Sequence, residues 1–170
     1  EARAKVPEDD ENQPCIVSPE AKYRGAENQL YRVEIHRSGL AGGPNGATFK
    51  VSRDNGAPVY SVRAVQGNTV TLDHLGRDER FGLEVGDWVE LVDDATVLRG
   101  EISPLLRVVE IDRFDMQVRL SGNAPESIDG DPNKHPLLRR WDHQKGDPAK
   151  GGLEIANDGA ARVVESATNW

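Results

Sequence analysis

The chain has 170 residues, 36% hydrophobic and 5% aromatic, enough for one full domain or two small modules sharing an interface. Its net charge of −8 lacks the basic footprint that phosphate contacts need, which disfavours nucleic acid and anionic membrane surfaces as partners. The 17 glycines and 10 prolines point to short strands joined by tight turns, not to a helical bundle.

Residues 1–14 carry a dense acidic run and no aromatics, and read as a flexible arm. Cys15, the single cysteine, excludes an internal disulfide framework and has no histidine arrangement beside it, so it reads as an incidental thiol. From Glu27 to His36, Tyr31, Val33 and Ile35 alternate with Arg32, Glu34 and His36; this predicts a half-buried strand with its apolar face inward. The Gly-rich stretch Ser38 to Gly46 predicts a loop. Alternation resumes from Ala47 to Arg53, Asp54-Asn55-Gly56 predicts a turn, and Val59 to Val65 is expected as the return strand. Gly67-Asn68 turns the chain into Thr69–Leu72, and a short helical or looping link covers Gly76 to Gly82.

Trp88 to Val92 is apolar on both sides, which predicts a central strand buried on both faces. Leu105 to Ile111 and Met116 to Leu120 form a predicted hairpin around Asp112 to Asp115. Residues 82–122 therefore have the rhythm of a small SH3-like barrel within a main β domain spanning 15–122. Residues 123–170 read as a loop-rich extension holding Leu137 to His143 and two short apolar runs, Leu153 to Ala156 and Ala161 to Val164, and are expected to continue into a longer parent protein. No segment sustains helical periodicity over three turns. The expected fold is all-β, with short antiparallel strands in a sandwich or small barrels.

The residues offer little chemistry. Asp129, Asp131 and Asn133 open like a calcium loop, but Lys134 and Arg140 stand where that loop requires glycine and a bidentate glutamate. Asp93-Asp94, and Asp54 with Asp73, read as surface or turn aspartates rather than a paired acid and base. His36, His74, His135 and His143 have no ligand spacing, with His36 expected to bond a neighbouring loop. Nucleophile-elbow and phosphate-loop patterns are missing. No catalytic residue, metal or cofactor is therefore assigned. Trp88, Trp141 and Trp170, with Tyr31 and Tyr60, could form a stacking platform. Arg139, Arg140, Trp141 and Asp142 form the candidate ligand or partner contact, with an arginine stacked on the indole.

Several runs together resemble an uncharacterised bacterial β-rich domain family. They are Tyr23-Arg24-Gly25, the long Glu27-to-His36 run, Thr48-Phe49-Lys50, Ser52 to Gly56, Leu75 to Asp78, Gly86 to Leu91, Asp93-Asp94 and Leu138 to Asp142. Val51 and Ala26 depart from it, since the family commonly has Trp and Leu there. The family tends to continue into a further β segment beginning with Trp, which Trp170 would supply. The resemblance implies a part of a large β-rich polypeptide, some members having β-helix regions and some belonging with phage-tail-like contractile injection systems. That setting implies protein partners, including self-association as a homotrimer, in an extracellular or phage-tail-like particle. The leading expectation is a non-catalytic structural or interaction domain. The alternative is a carbohydrate-binding module attached to a β-helical depolymerase or lyase, with a glycan as ligand. Glu27, Arg32, Glu34, Arg53 and Asp54, with the Arg139–Asp142 charges, would form a buried ion-pair network or an interface.

Overall fold

The computed structural model describes residues 30–43, 45–77, 81–147 and 152–164. Among these residues nine strands carry the fold: β1 (Arg32–Arg37), β2 (Thr48–Ser52), β3 (Val59–Gln66), β4 (Thr69–Leu72), β5 (Trp88–Val92), β6 (Leu105–Asp112), β7 (Gln117–Leu120), β8 (Leu137–Trp141) and β9 (Ala161–Arg162). A short α-helix, α1 (Asp94–Arg99), interrupts them. The all-β reading is the observed class.

Six strands pair in a closed antiparallel ring, β3-β4-β7-β6-β5-β8. The two long strands make the corners. The first part of β3 pairs with β8 and the rest with β4, across a register shift between Val62 and Ala64. β6 pairs first with β5 and then with β7, with a shift between Val108 and Glu110. Each irregularity lets the strand bend from one sheet into the other, giving two facing sheets that share their corner strands. Strict alternation fills the interior: in β7, Val118 and Leu120 are buried while Gln117 and Arg119 are exposed. Tyr60, Leu72, Leu83, Leu91 and Leu138 complete a core with almost no solvent contact. Residues 82–122 supply β5, α1, β6 and β7, and this ring closes only with β3, β4 and β8. The boundary expected near residue 123 falls between two strands of the same ring.

The other three strands form a small sheet of order β1-β2-β9. β3 is therefore not the return strand of β2. The Asp54–Gly56 turn, with Asp54 and Asn55 at positive φ, carries the chain from one sheet to the other instead of closing a hairpin. β2 pairs with β9 on one side and with β1 on the other, with Val33 opposite Val51, Glu34 opposite Lys50 and Ile35 opposite Phe49.

This small sheet is inverted relative to the expectation. Val33 and Ile35 are 61% and 64% exposed, whereas His36, Thr48, Lys50 and Ser52 are buried. The apolar side of the alternation faces outward and the polar side faces the barrel. The alternation was sound, but its direction was set by what lies beneath. The outward side of β5–β8 presents Trp88, Glu90, Arg139 and Trp141, paired as Trp88–Trp141 and Glu90–Arg139. A surface holding buried charges needs hydrogen-bonding partners above it, and the polar face of the small sheet supplies Lys50 for Glu90.

α1 also went unpredicted, although its stop signals are in the sequence. The Asp93 carboxylate accepts a hydrogen bond from the Thr96 N–H at 2.7 Å, the Asp93 N–H donates to Thr96 Oγ1 at 2.9 Å, and Gly100 closes the helix at φ 64°. Six residues are too few to show a helical period.

Candidate functional site

The contact between the small sheet and the barrel gathers most of the predicted charged residues. At its centre are two that were not singled out, Lys50 and Glu90. Lys50 Nζ donates to both Glu90 oxygens at 2.9 and 2.8 Å, and both side chains are almost wholly buried. Trp141 Nε1 donates to Glu90 Oε2 at 3.0 Å, and the ammonium lies 4.5 Å from the indole centroid. Ammonium, carboxylate and indole thus close a triangle in which each satisfies the others. Glu34 lies 3.4 Å from Lys50 Nζ and is bound by Arg32. Burial alone would raise the Glu34 pKa, but the Arg32 hydrogen bond and the two cations outweigh it and hold the carboxyl below its ordinary value.

Asp142 makes the second tie. Its carboxylate accepts from Ser52 Oγ at 3.1 Å and the Arg53 N–H at 2.7 Å, and lies 3.2 Å from Arg140. Its own N–H donates to the Val51 carbonyl at 2.8 Å. Arg140 also reaches the Gly82 carbonyl. Arg139 faces Arg32, Glu34 and Glu90; burial, then the like charge of Arg32, lowers its pKa.

Arg32 and Glu34 are therefore brought together, with Arg139, Arg140, Trp141 and Asp142 beside them. Arg53 joins through its backbone, and the Asp54 carbonyl accepts from the Ala57 N–H within the turn. Glu27 lies outside the described residues. Lys50 and Glu90 could have been found as the lone charges in strands TFKVS and WVELV, since a charge inside a buried strand demands a partner.

The aromatic platform is not assembled among the described residues. Trp141 is 2% exposed and Tyr60 1%. Trp88 is half-buried, with the Arg107 guanidinium 5.5 Å from its ring and the His143 ring nearly parallel at 6.4 Å. Among the described residues it is Lys50, not an arginine, that stacks on Trp141. Trp170 and Cys15 lie outside the described residues. Trp88 walls two clefts of about 520 and 430 Å³, the first bordered by Asp87, Arg107 and His143, the second by His36, Ser103 and Asp158. Gly159 seats its backbone against this indole at φ +83°. A methyl group there would lie 2.5 Å from Trp88 Cζ3. Gly159→Ala is expected to cost roughly 1–3 kcal/mol and to change the tryptophan emission. Unaltered melting and emission would show that the contact is not tight.

The remaining aspartates and histidines are engaged separately. Lys134 Nζ lies 3.0 Å from Asp129 Oδ2, filling the calcium-like loop with its own cation. His135 bonds Asp94 at 2.7 Å, and His74 accepts from the Gly76 N–H. Among the described residues no group of three or more metal-ligating side chains converges. No helix among them is long and apolar enough to cross a membrane.

His36 and His143 belong to the interface. Desolvation is the largest cause lowering both pKa values, with the nearby Lys50 charge opposing protonation as well. A histidine whose folded-state pKa is depressed contributes stability above its unfolded value of about 6.5, lost as pH falls through that value. The midpoint of chemical denaturation is thus expected to drop as the pH falls below about 6.5. Replacing both histidines by glutamine should flatten that slope, and a slope unchanged in the double variant would contradict the assignment.

Residues 1–168 match the model of DUF6519, a family of unknown function. The chain belongs to that family. Neither the curated proteins nor the solved structures give a match to the DUF6519 chain. At the DUF6519 interface Lys50 is paired with Glu90 and Glu34, and Arg140 with Asp142.

Proposed function

We propose that this domain is a non-catalytic interaction module that docks onto its partners through the outer face of the small sheet. One observation carries the reading: Val33 and Ile35 stand exposed opposite Val51 and Phe49, forming two apolar rungs, while the polar rungs of the same strands are buried. Spending the polar side on the barrel leaves the apolar side bare. An apolar patch of that kind marks a contact surface. In the setting that the sequence resemblance implies, the module would be a spike, fibre or baseplate-associated part of a phage-tail-like or surface assembly. The burial of Trp141 and Tyr60 gives the glycan alternative no bare ring among those two.

Val33→Asp/Ile35→Asp tests the proposal in the producing bacterium. These side chains lie outside the core, so the double variant should fold and melt within about 1 kcal/mol of the parent. The parent is expected to sediment with a high-mass assembly and the variant to stay in the soluble fraction. A variant that sediments like the parent would refute the docking role of this face.

A further inference from the structure

We infer that the outer face of the small sheet is covered by a second copy of itself, two such sheets packing face to face about a two-fold axis. This rests on the docking role proposed above and names its occupant.

The outward residues Tyr31, Val33 and Ile35 are 48, 61 and 64% exposed, and Phe49 and Val51 are partly exposed beside them. Together they leave roughly 400 Å² of apolar surface bare, the size of the largest patch on a typical monomer, which is often functional. A standard interface takes about 800 Å² from each partner, somewhat over half of it apolar. The patch therefore matches the apolar core that one half of such an interface requires, with a polar rim to complete it.

Charge then selects the partner. Two chains of net charge −8 repel unless they meet where neither carries charge. Arg32, Glu34 and Lys50 are all turned under the sheet, so the outward rungs hold no ionisable carboxylate or amine. A charged partner would be desolvated there without compensation. An equally uncharged, flat, β-branched sheet face suffers no such loss, and every copy of the chain presents one. Isologous contact also closes: each face meets its equal and no second patch remains to propagate a fibre. Face-to-face packing at about 10 Å would let Val33 and Ile35 interdigitate with their equivalents.

The test uses the purified chain. Light scattering across a concentration series should give twice the 18.6 kDa chain mass, and Val33→Asp/Ile35→Asp should return it to a single mass with melting preserved. With Cys15→Ser removing the native thiol, Val33→Cys should cross-link through a short bismaleimide. Leu98→Cys, 86% exposed on α1, should not. A single mass at every concentration, or a dimer indifferent to the double substitution, would overturn the two-fold contact. Either result would leave the sedimentation experiment to decide the docking role separately. A mass three times that of the chain would also overturn it, because a three-fold assembly cannot be built from one isologous face.

Discussion

Lys50→Met is expected to destabilise the protein by about 3–5 kcal/mol, on the order of 10 °C in melting temperature. Methionine fills much the same volume, so packing is not the cause. The substitution leaves the Glu90 carboxylate buried with the Trp141 N–H as its remaining hydrogen-bond donor, and Glu34 without the second of its two cations. A buried charge stripped of its counter-ion is far costlier than the intact pair is favourable. The asymmetry supplies its own control. Removing both charges in Lys50→Met/Glu90→Leu should recover most of the loss, short of about 1–2 kcal/mol for the unpaired indole N–H. The double-mutant cycle should then report a coupling of about 2 kcal/mol or more. Additive losses would mean that the two side chains do not share one buried site.

Trp141→Ala should be as severe, about 3–5 kcal/mol, read as a lower denaturation midpoint at unchanged slope. The indole is packed with Leu105, Ala160 and Trp88, hydrogen-bonds Glu90 and lies beneath Lys50. Truncation opens a cavity directly under the buried ion pair. Trp141→Phe keeps a ring beneath the ammonium but removes the N–H, and should cost less, about 1–2 kcal/mol. A near-neutral Trp141→Ala would place the indole outside the core. This also bears on any glycan assay: loss of binding in Trp141→Ala would report unfolding before it reported recognition.

Much of the fold was legible because two-residue periodicity is local. The strands β4, β5, β6 and β7 were placed nearly residue for residue, whereas β8 lay in a stretch read as a loop-rich extension, and the apolar character of both sides of β5 correctly signalled burial on both. One side is the barrel interior and the other lies under the small sheet. What the alternation of Glu27 to His36 could not reveal was which side is up. The rule that apolar residues point inward assumes an apolar surface beneath, and here the surface beneath β1 and β2 holds Glu90, Arg139 and Trp141. The pairing of β2 with β1 instead of β3 was hidden for a similar reason. An Asp-Asn-Gly turn is compatible with a hairpin, and only the tertiary ring, which needs the start of β3 for β8, decides against it. The charged motif residues were recognised as a set, yet the pair at their centre was overlooked. Lys50 and Glu90 each sit alone between apolar neighbours, 40 residues apart, and neither announces its partner. The capping signals of α1 were present in Asp93 and Gly100 but spanned too short a helix to be weighed.

The inside-out small sheet supports both the buried ion pair and the bare outer face, so its orientation is the claim to test. In a Cys15→Ser background, single cysteines at Thr48 and Ser52, which are 1% and 0% exposed, should resist a maleimide until the protein is unfolded. Immediate labelling of both in the native protein would show that the polar side faces water, and the account of this interface would fall with it.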